Sequence, residues 1–400
     1  MRHADYLICG AGISGLTIAR ELINQGAANI LIIEKEDEPG RHASGRNSGV
    51  LHAGIYYAPD SLKAKTCIEG SRRMRAYCRE RGLPLLEAGK VIVARDETEL
   101  PALDALYKRA QANGAEVALI DEAGLREIEP YAKTAGRAIF SPRTSMTDPK
   151  AVLASLRRDI EATGKAAFLF NAPFKGLKAR DVAVTGQGDI GFSLFINAAG
   201  AYADKVAAPF GAGKGMAAIP FKGIYRKLRP EKSFMIRGNV YPVPDPRNPF
   251  LGVHFTRGVS GAVYIGPTAI PALGRENYGI LAGMDAEALT ILWRDLTLFF
   301  RNPKFRDVAL TEPKKYWFSA FFNDARRLVK ELDPWDVLPT AKCGIRPQLV
   351  DLSTGELIMD FAIEKAERSV HVLNAISPAF TASLAFSEMV VNDYVTPMAS

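Results

Sequence analysis

Unbroken apolar runs and helically spaced apolar positions alternate along this chain, most clearly at its start. Tyr6-Leu7-Ile8-Cys9 and Ile30-Leu31-Ile32-Ile33 have no polar break, the pattern of strands buried on both faces. The stretch between them has helical character and stops at Gly26. Residues 60–82 predict a helix with Leu62, Cys67, Ile68, Met74 and Tyr77 roughly on one face. Val91-Ile92-Val93 predicts a strand, and 97–113 and 121–129 predict helices. Asp148 as cap and Pro149 in the first turn start a helix over 148–163. Phe168-Leu169-Phe170 and Leu194-Phe195-Ile196 predict buried strands, the second ending in the small-residue turn Asn197-Ala198-Ala199-Gly200. From 219 to 266 strands and turns alternate, with prolines crowded into Tyr241-Pro242-Val243-Pro244-Asp245-Pro246. Helices over 285–301 and 318–332 follow, then strands at 344–350 and Ser369–Asn374, and a closing helix from about Thr381.

Gly10-Ala11-Gly12-Ile13-Ser14-Gly15 joins the first strand to the first helix, and Glu34 ends the second strand. This is G-x-G-x-x-G in strand–turn–helix–strand context, with an acidic residue about 20 positions on. Gly10 permits the tight turn, Gly12 lets the backbone approach a pyrophosphate, and Gly15 lets the helix pack on the strand. The helix start, at Ile13 and Ser14, offers free N–H groups and a positive dipole end to phosphates. Glu34 suits a ribose diol and would repel a 2′-phosphate; Lys35 adjoins it. The other glycine cluster, Gly211-Ala212-Gly213-Lys214-Gly215, follows a helix-like segment and has the wrong spacing. One nucleotide site at the start of the chain favours a tightly bound FAD over an exchangeable NAD. A nucleotide-binding start, a β-rich middle and a final return to strands and helix predict an α/β fold in two interleaved parts. A Rossmann-type FAD-binding domain takes 1–82, 148–215 and 335–400, and an α+β substrate domain with a mixed sheet takes 83–147 and 216–334.

Composition narrows the class. Four hundred residues exceed one ordinary core, and 48% apolar with 24% charged residues describe a soluble globular protein. There is no apolar run long enough to span a bilayer and no apolar signal segment before the first strand. Cys9, Cys67, Cys78 and Cys343 form no C-x-x-C and no metal-type pairing with the five histidines, so buried thiols in a reducing cytoplasm, and no metal, are expected. The charge of +7 suits an anionic substrate or surface, and without a basic tract interleaved with aromatics no nucleic-acid partner is expected.

The string Asn47-Ser48-Gly49-Val50-Leu51-His52-Ala53-Gly54-Ile55-Tyr56-Tyr57, with Ser61-Leu62-Lys63-Ala64-Lys65, closely resembles the L-2-hydroxyglutarate dehydrogenase/oxidase family. The likeness continues in Tyr241-Pro242-Val243-Pro244-Asp245, Phe250-Leu251-Gly252-Val253-His254-Phe255-Thr256, Gly266-Pro267, Gly344-Ile345-Arg346 and Asn374-Ala375-Ile376-Ser377-Pro378-Ala379. That family belongs to the FAD-dependent, D-amino-acid-oxidase-like (glycine oxidase-like) superfamily. The resemblance implies FAD, oxidation of L-2-hydroxyglutarate to 2-oxoglutarate by hydride transfer from C2 to flavin N5, and a quinone or oxygen as acceptor. A flavin amine or amino-acid oxidase on the same fold is the alternative. It also admits peripheral association with an inner-membrane surface, although the apolar stretch Leu292-Trp293 and Leu298-Phe299-Phe300 is expected to be core. Three positions depart from the family pattern: Arg46 where many members have His, Thr268 where Asn is usual, and Phe380 where a small residue is usual.

Oxidising a 2-hydroxy acid needs a base for the hydroxyl proton, cations for the carboxylates and positive potential near the flavin pyrimidine. His52 is the candidate base, because imidazole titrates near neutrality. Arg346 is the candidate carboxylate clamp, because a guanidinium holds a carboxylate with two parallel bonds. Tyr57, Lys63, Tyr241, His254 and Arg257 are further candidates around the substrate. Lys63 and Lys65 are two apart on a predicted helix, so only one should face inward. The resemblance implies cofactor contacts from Ser44, Arg46, Asn47, Ser48, Gly49, Ala199, Gly200, Gly344, Ser377, Pro378, Ala379, Phe380 and Thr381, with the last helix aiming its N-terminus at the flavin pyrimidine.

Overall fold

The computed structural model describes residues 1–245 and 250–399; Pro246 of the proline run lies outside them. The strand Arg2–Cys9 lies between Ile30–Ile33 and Gly188–Asn197, all parallel, with Ala166–Leu169 beyond Ile30–Ile33. Ser369–Asn374 adds in parallel at the far end of Gly188–Asn197, and antiparallel strands complete an eight-stranded sheet. Leu7, Ile8, Ile32 and Ile196 are wholly buried, as unbroken apolar runs covered on both faces require. The helices Ile13–Asn24, Leu62–Glu80, Pro149–Ala162 and Ala379–Val390 share one core with this sheet, through Leu16, Met74, Leu156 and Phe386.

A nine-stranded mixed sheet holds Lys90–Val93, Met216–Leu228, Asn239–Pro242 and His254–Arg257. Val337–Asp351 pairs antiparallel with Met216–Leu228 over its length, setting Arg346 opposite Phe221 and Gly344 opposite Gly223. The stretch 337–351, expected in the segment 335–400 of the nucleotide-binding part, therefore pairs as a strand of this second sheet. A two-fold alternation on one long strand cannot report which of two sheets will pair with it.

Three other expectations change. Phe168 and Phe170 are only half-buried, because Ala166–Leu169 is an edge strand; their rings stack 5.6 Å apart and the Arg157 guanidinium lies 4.6 Å from the Phe170 ring. The helix expected over 318–332 spans Phe318–Arg326, and a helix at Pro303–Thr311 precedes it. The helix Ala288–Arg301 turns only Ile291 and Leu298 fully inward, while Trp293 and Phe300 are 70% and 72% exposed. Its apolar stretch is thus largely surface rather than core. No helix among the described residues is long and apolar enough to cross a membrane.

Candidate active site

The glycine loop has the tight geometry its spacing demands. Gly10 sits at φ +110°, and a Cβ there would lie 2.5 Å from the Ala198 carbonyl oxygen. A Cβ at Gly15 would overlap the Gly10 carbonyl oxygen, so the helix can approach the strand only through glycine. Ser44 Oγ accepts a hydrogen bond from Ile13 N (2.9 Å), which ties the 40s loop to the helix start. Glu34 Oε2 accepts from Ala11 N (2.8 Å) and its other oxygen from Glu36 N (3.1 Å), holding the carboxylate against the loop.

From this loop a cleft of about 640 Å³ runs to the second sheet. Gly10, Gly12, Ile13, Ser14, Glu34, Lys35, Ser44, Arg46, Asn47, Ser48, Ala199 and Gly200 line its first part. His52, Tyr241, His254, Gly344, Arg346, Ser377, Pro378, Ala379, Phe380 and Thr381 line the rest. Glu34 is the one carboxylate among the described lining residues, against Lys35, Arg41, Arg46, Lys175, Lys205, Arg275 and Arg346. Lys35, Arg41, Lys205 and Arg275 are paired with carboxylates behind the wall, so the long cleft and a glycine cradle that side chains would fill are what fit FAD and its pyrophosphate.

Five expected residues lie off the cleft wall. Gly15 and Gly49 serve packing, the latter because a Cβ would overlap the Thr147 carbonyl oxygen. Tyr57 lies behind the wall near Tyr56 and Cys67. Lys63 does face inward while Lys65 is exposed, but its Nζ donates to the Met359 carbonyl and lies 5.7 Å from the Phe361 ring. Arg257 donates to the carbonyls of Ser233 (2.8 Å) and Ile236 (2.9 Å). Both cations are engaged by backbone oxygens, a competition that no sequence pattern displays.

The substrate end gathers the buried imidazole of His254 with the half-buried His52 and Arg346. His52 hangs from the Val50–Leu51 strand; its backbone N donates to Thr381 Oγ1 (3.1 Å), which donates to the Val50 carbonyl (3.2 Å). Its Nδ1 is buried without a partner. Burial, then the neighbouring Lys90, His254 and Arg346, push its pKa down to about 3, so the ring is neutral. His254 is pushed down to about 4 by burial, and its Nδ1 lies 2.8 Å from the Gly252 carbonyl. Arg346 comes from the strand paired to Met216–Leu228, carries no carboxylate partner among the described residues, and is held below its ordinary value by burial. The helix Ala379–Val390 brings its first residues, Ala379, Phe380 and Thr381, to the same cleft, so its positive end faces inward.

Sequence reasoning missed a polar cluster at the nucleotide end. Lys35 Nζ sits 2.7 Å from Glu276 Oε1 and 2.9 Å from His42 Nε2, with Glu36 beside it, so an ammonium fills the space where these carboxylates and His42 could otherwise hold a cation. Tyr202 Oη donates to Glu276 (2.7 Å), and His42 Nδ1 lies 2.8 Å from Tyr278 Oη. Glu276 and Tyr278 are more than 200 positions away from His42, and no local signal joins them to it.

A family model for FAD dependent oxidoreductases matches residues 5–392. An L-2-hydroxyglutarate dehydrogenase of Caenorhabditis briggsae is 36% identical, the alignment covering 98% of this chain and 93% of the relative. Its human counterpart is 34% identical over 97% of this chain and 88% of its own length. The chain belongs to the L-2-hydroxyglutarate dehydrogenase family. It is an FAD-dependent dehydrogenase, and its fold agrees with solved structures. An L-α-glycerophosphate oxidase from Mycoplasma pneumoniae matches with a TM-score of 0.79 at 21% identity, covering 98% of this chain and 96% of that one. A glycine oxidase from Geobacillus kaustophilus gives 0.73 at 19% identity, covering 99% and 95%. The α/β architecture expected of a D-amino-acid-oxidase-like flavoenzyme is therefore the one observed.

The three departures from the family pattern all reach the cleft. Arg46 lies 4.0 Å over the Tyr278 ring and donates to the Arg41 carbonyl (2.9 Å). Thr268 Oγ1 accepts from Ile224 N (3.1 Å) and donates to the Lys222 carbonyl (3.2 Å), so its hydroxyl is occupied by backbone. Phe380 stands in the first turn of the helix that ends at the cleft.

Proposed function

We propose that this enzyme oxidises L-2-hydroxyglutarate to 2-oxoglutarate. FAD, when bound, would supply the two-electron acceptor for the hydride of C2, with a quinone or oxygen as the onward acceptor. His52 takes the hydroxyl proton. A neutral ring with a buried, unpartnered nitrogen is competent to accept it, and a dianionic substrate would raise the basicity that the surrounding cations suppress. Arg346 binds the C1 carboxylate, and Tyr241 and His254 form the wall beside it. Ser44, Asn47 and Ser48 would hold the cofactor, and the Ala379–Val390 helix end would supply positive potential at the same cleft. One observation carries this reading: an unpartnered imidazole and an uncompensated guanidinium share one end of a cleft whose other end is a dinucleotide loop.

The test is anaerobic mixing of the holoenzyme with L-2-hydroxyglutarate while the flavin band near 450 nm is followed. Bleaching by the L form and not the D form supports the proposal. Bleaching only by amino acids or secondary amines selects the amine-oxidase alternative.

Peripheral attachment to a membrane is part of the proposal. Leu289, Leu292, Trp293, Leu296 and Phe300 are exposed on one helix, Ile280 and Leu281 lie exposed before it, and the exposed Arg301 and Lys304 flank it. An apolar face with basic neighbours and an interfacial tryptophan suits the surface of an anionic bilayer.

A further inference from the structure

Lys90 is 1% exposed at the start of the strand Lys90–Val93, and its Nζ has no hydrogen-bond partner. It lies 4.6 Å from the centre of the Tyr56 ring and 5.0 Å from that of Tyr241, whose ring also stacks on His254 and lines the cleft. Tyr56 Oη is likewise buried without a partner. Among the described residues no carboxylate offsets this ammonium: desolvation depresses it to about 7, and Cys67 opposes that. Its field reaches the cleft, since it acts on both His52 and His254.

An unpaired buried ammonium is costly, and two aromatic faces repay only part of that cost. A site keeps such a charge where an anion arrives to complete it. Arg346, half-buried on the cleft wall, is the other cation acting on His52. A monocarboxylate can use Arg346 alone, whereas a dicarboxylate can use both fields.

We propose that Lys90 determines specificity for dicarboxylates, its ammonium acting on the substrate's second carboxylate from behind the Tyr56 and Tyr241 rings. The proposal rests on the dicarboxylate reading of this cleft. It assigns the second anchor to Lys90 rather than to Lys63 or Arg257, which are engaged by carbonyls.

The experiment titrates the FAD-loaded enzyme with glutarate and with pentanoate, following the shift in flavin absorbance. Wild-type protein should bind glutarate roughly tenfold or more tighter than pentanoate. Lys90→Met should cut that preference to within about threefold and leave pentanoate binding unchanged, while Lys90→Arg keeps it. A preference that survives Lys90→Met, or equal weakening of both ligands, overturns the assignment. If Lys90→Met does not fold, Lys90→Gln takes its place, and absence of a glutarate preference in the wild type overturns the assignment without any variant. Flavin reduction by L-2-hydroxyglutarate is scored separately. Reduction without a glutarate preference sinks Lys90 alone; a Lys90-dependent preference without reduction sinks the reaction alone.

Discussion

The imidazole of His254 lies flat on the ring of Tyr241, the centroids 3.7 Å apart and the planes 24° from parallel. The Gly252 carbonyl, 2.8 Å from Nδ1, fixes that nitrogen as the donor and leaves Nε2 an acceptor. His254→Phe keeps the stack and removes that acceptor. Steady-state kinetics should show kcat/KM falling about tenfold with flavin content intact, the loss expected for one buried hydrogen bond. Unchanged kinetics would reduce His254 to a packing role.

His52→Ala should retain the flavin spectrum and slow flavin reduction by roughly 100- to 10,000-fold. The pH profile gives an independent check. The base works deprotonated, so a value pushed down to about 3 keeps it competent well below 6.5, and its contribution is lost only as pH falls toward that value. Stopped-flow reduction at low substrate should therefore stay level from about pH 8 to about pH 5 as far as His52 is concerned. An acid limb centred near 6.5 that disappears in His52→Ala would show a solvated imidazole instead.

Arg346→Lys keeps the charge and loses the planar fork. The expected result is a KM raised about 10- to 100-fold with a smaller change in kcat. An unaltered KM would remove Arg346 as the clamp.

Arg275 is 3% exposed; it donates to Asp204 Oδ2 (2.9 Å) and to both oxygens of Glu287 (2.9 and 2.7 Å). This network pins the 275–287 segment to the Ala203–Ala207 helix beside the cofactor cleft. Arg275→Met leaves Asp204 without a cation and Glu287 with Lys205 alone, and should cost about 3 kcal/mol, read as a lower denaturant midpoint. A midpoint within experimental error of wild type would mean that the network is energetically neutral.

Trp293→Asp should abolish co-sedimentation with vesicles containing anionic lipid while leaving flavin reduction by the substrate unchanged. Equal sedimentation of variant and wild type would exclude this helix as the contact.

Local order explains what could be read early. The dinucleotide loop was legible because its strand, turn, helix and acidic residue are all set by spacing within 34 positions, and each glycine answers a steric demand visible in the chain. The buried parallel strands were legible because covering both faces leaves no polar position. The Leu62–Glu80 helix and the cap at Asp148 followed from side-chain periodicity and a local hydrogen bond.

Only the tertiary structure decided the partnerships. It sent 337–351 into the second sheet, turned Trp293 and Phe300 outward, and gave Lys63 and Arg257 to backbone carbonyls. It joined Lys35 and His42 to Glu276, and set Lys90 between Tyr56 and Tyr241. Sequence by itself determined which stretches could become strand, helix or phosphate loop, because those depend on dihedrals and periodicity within a few residues. Which buried cation stays unpaired, and so which can wait for a ligand, depends on carbonyls and rings brought from dozens to hundreds of positions away, and that is fixed only when the two sheets close on the cleft.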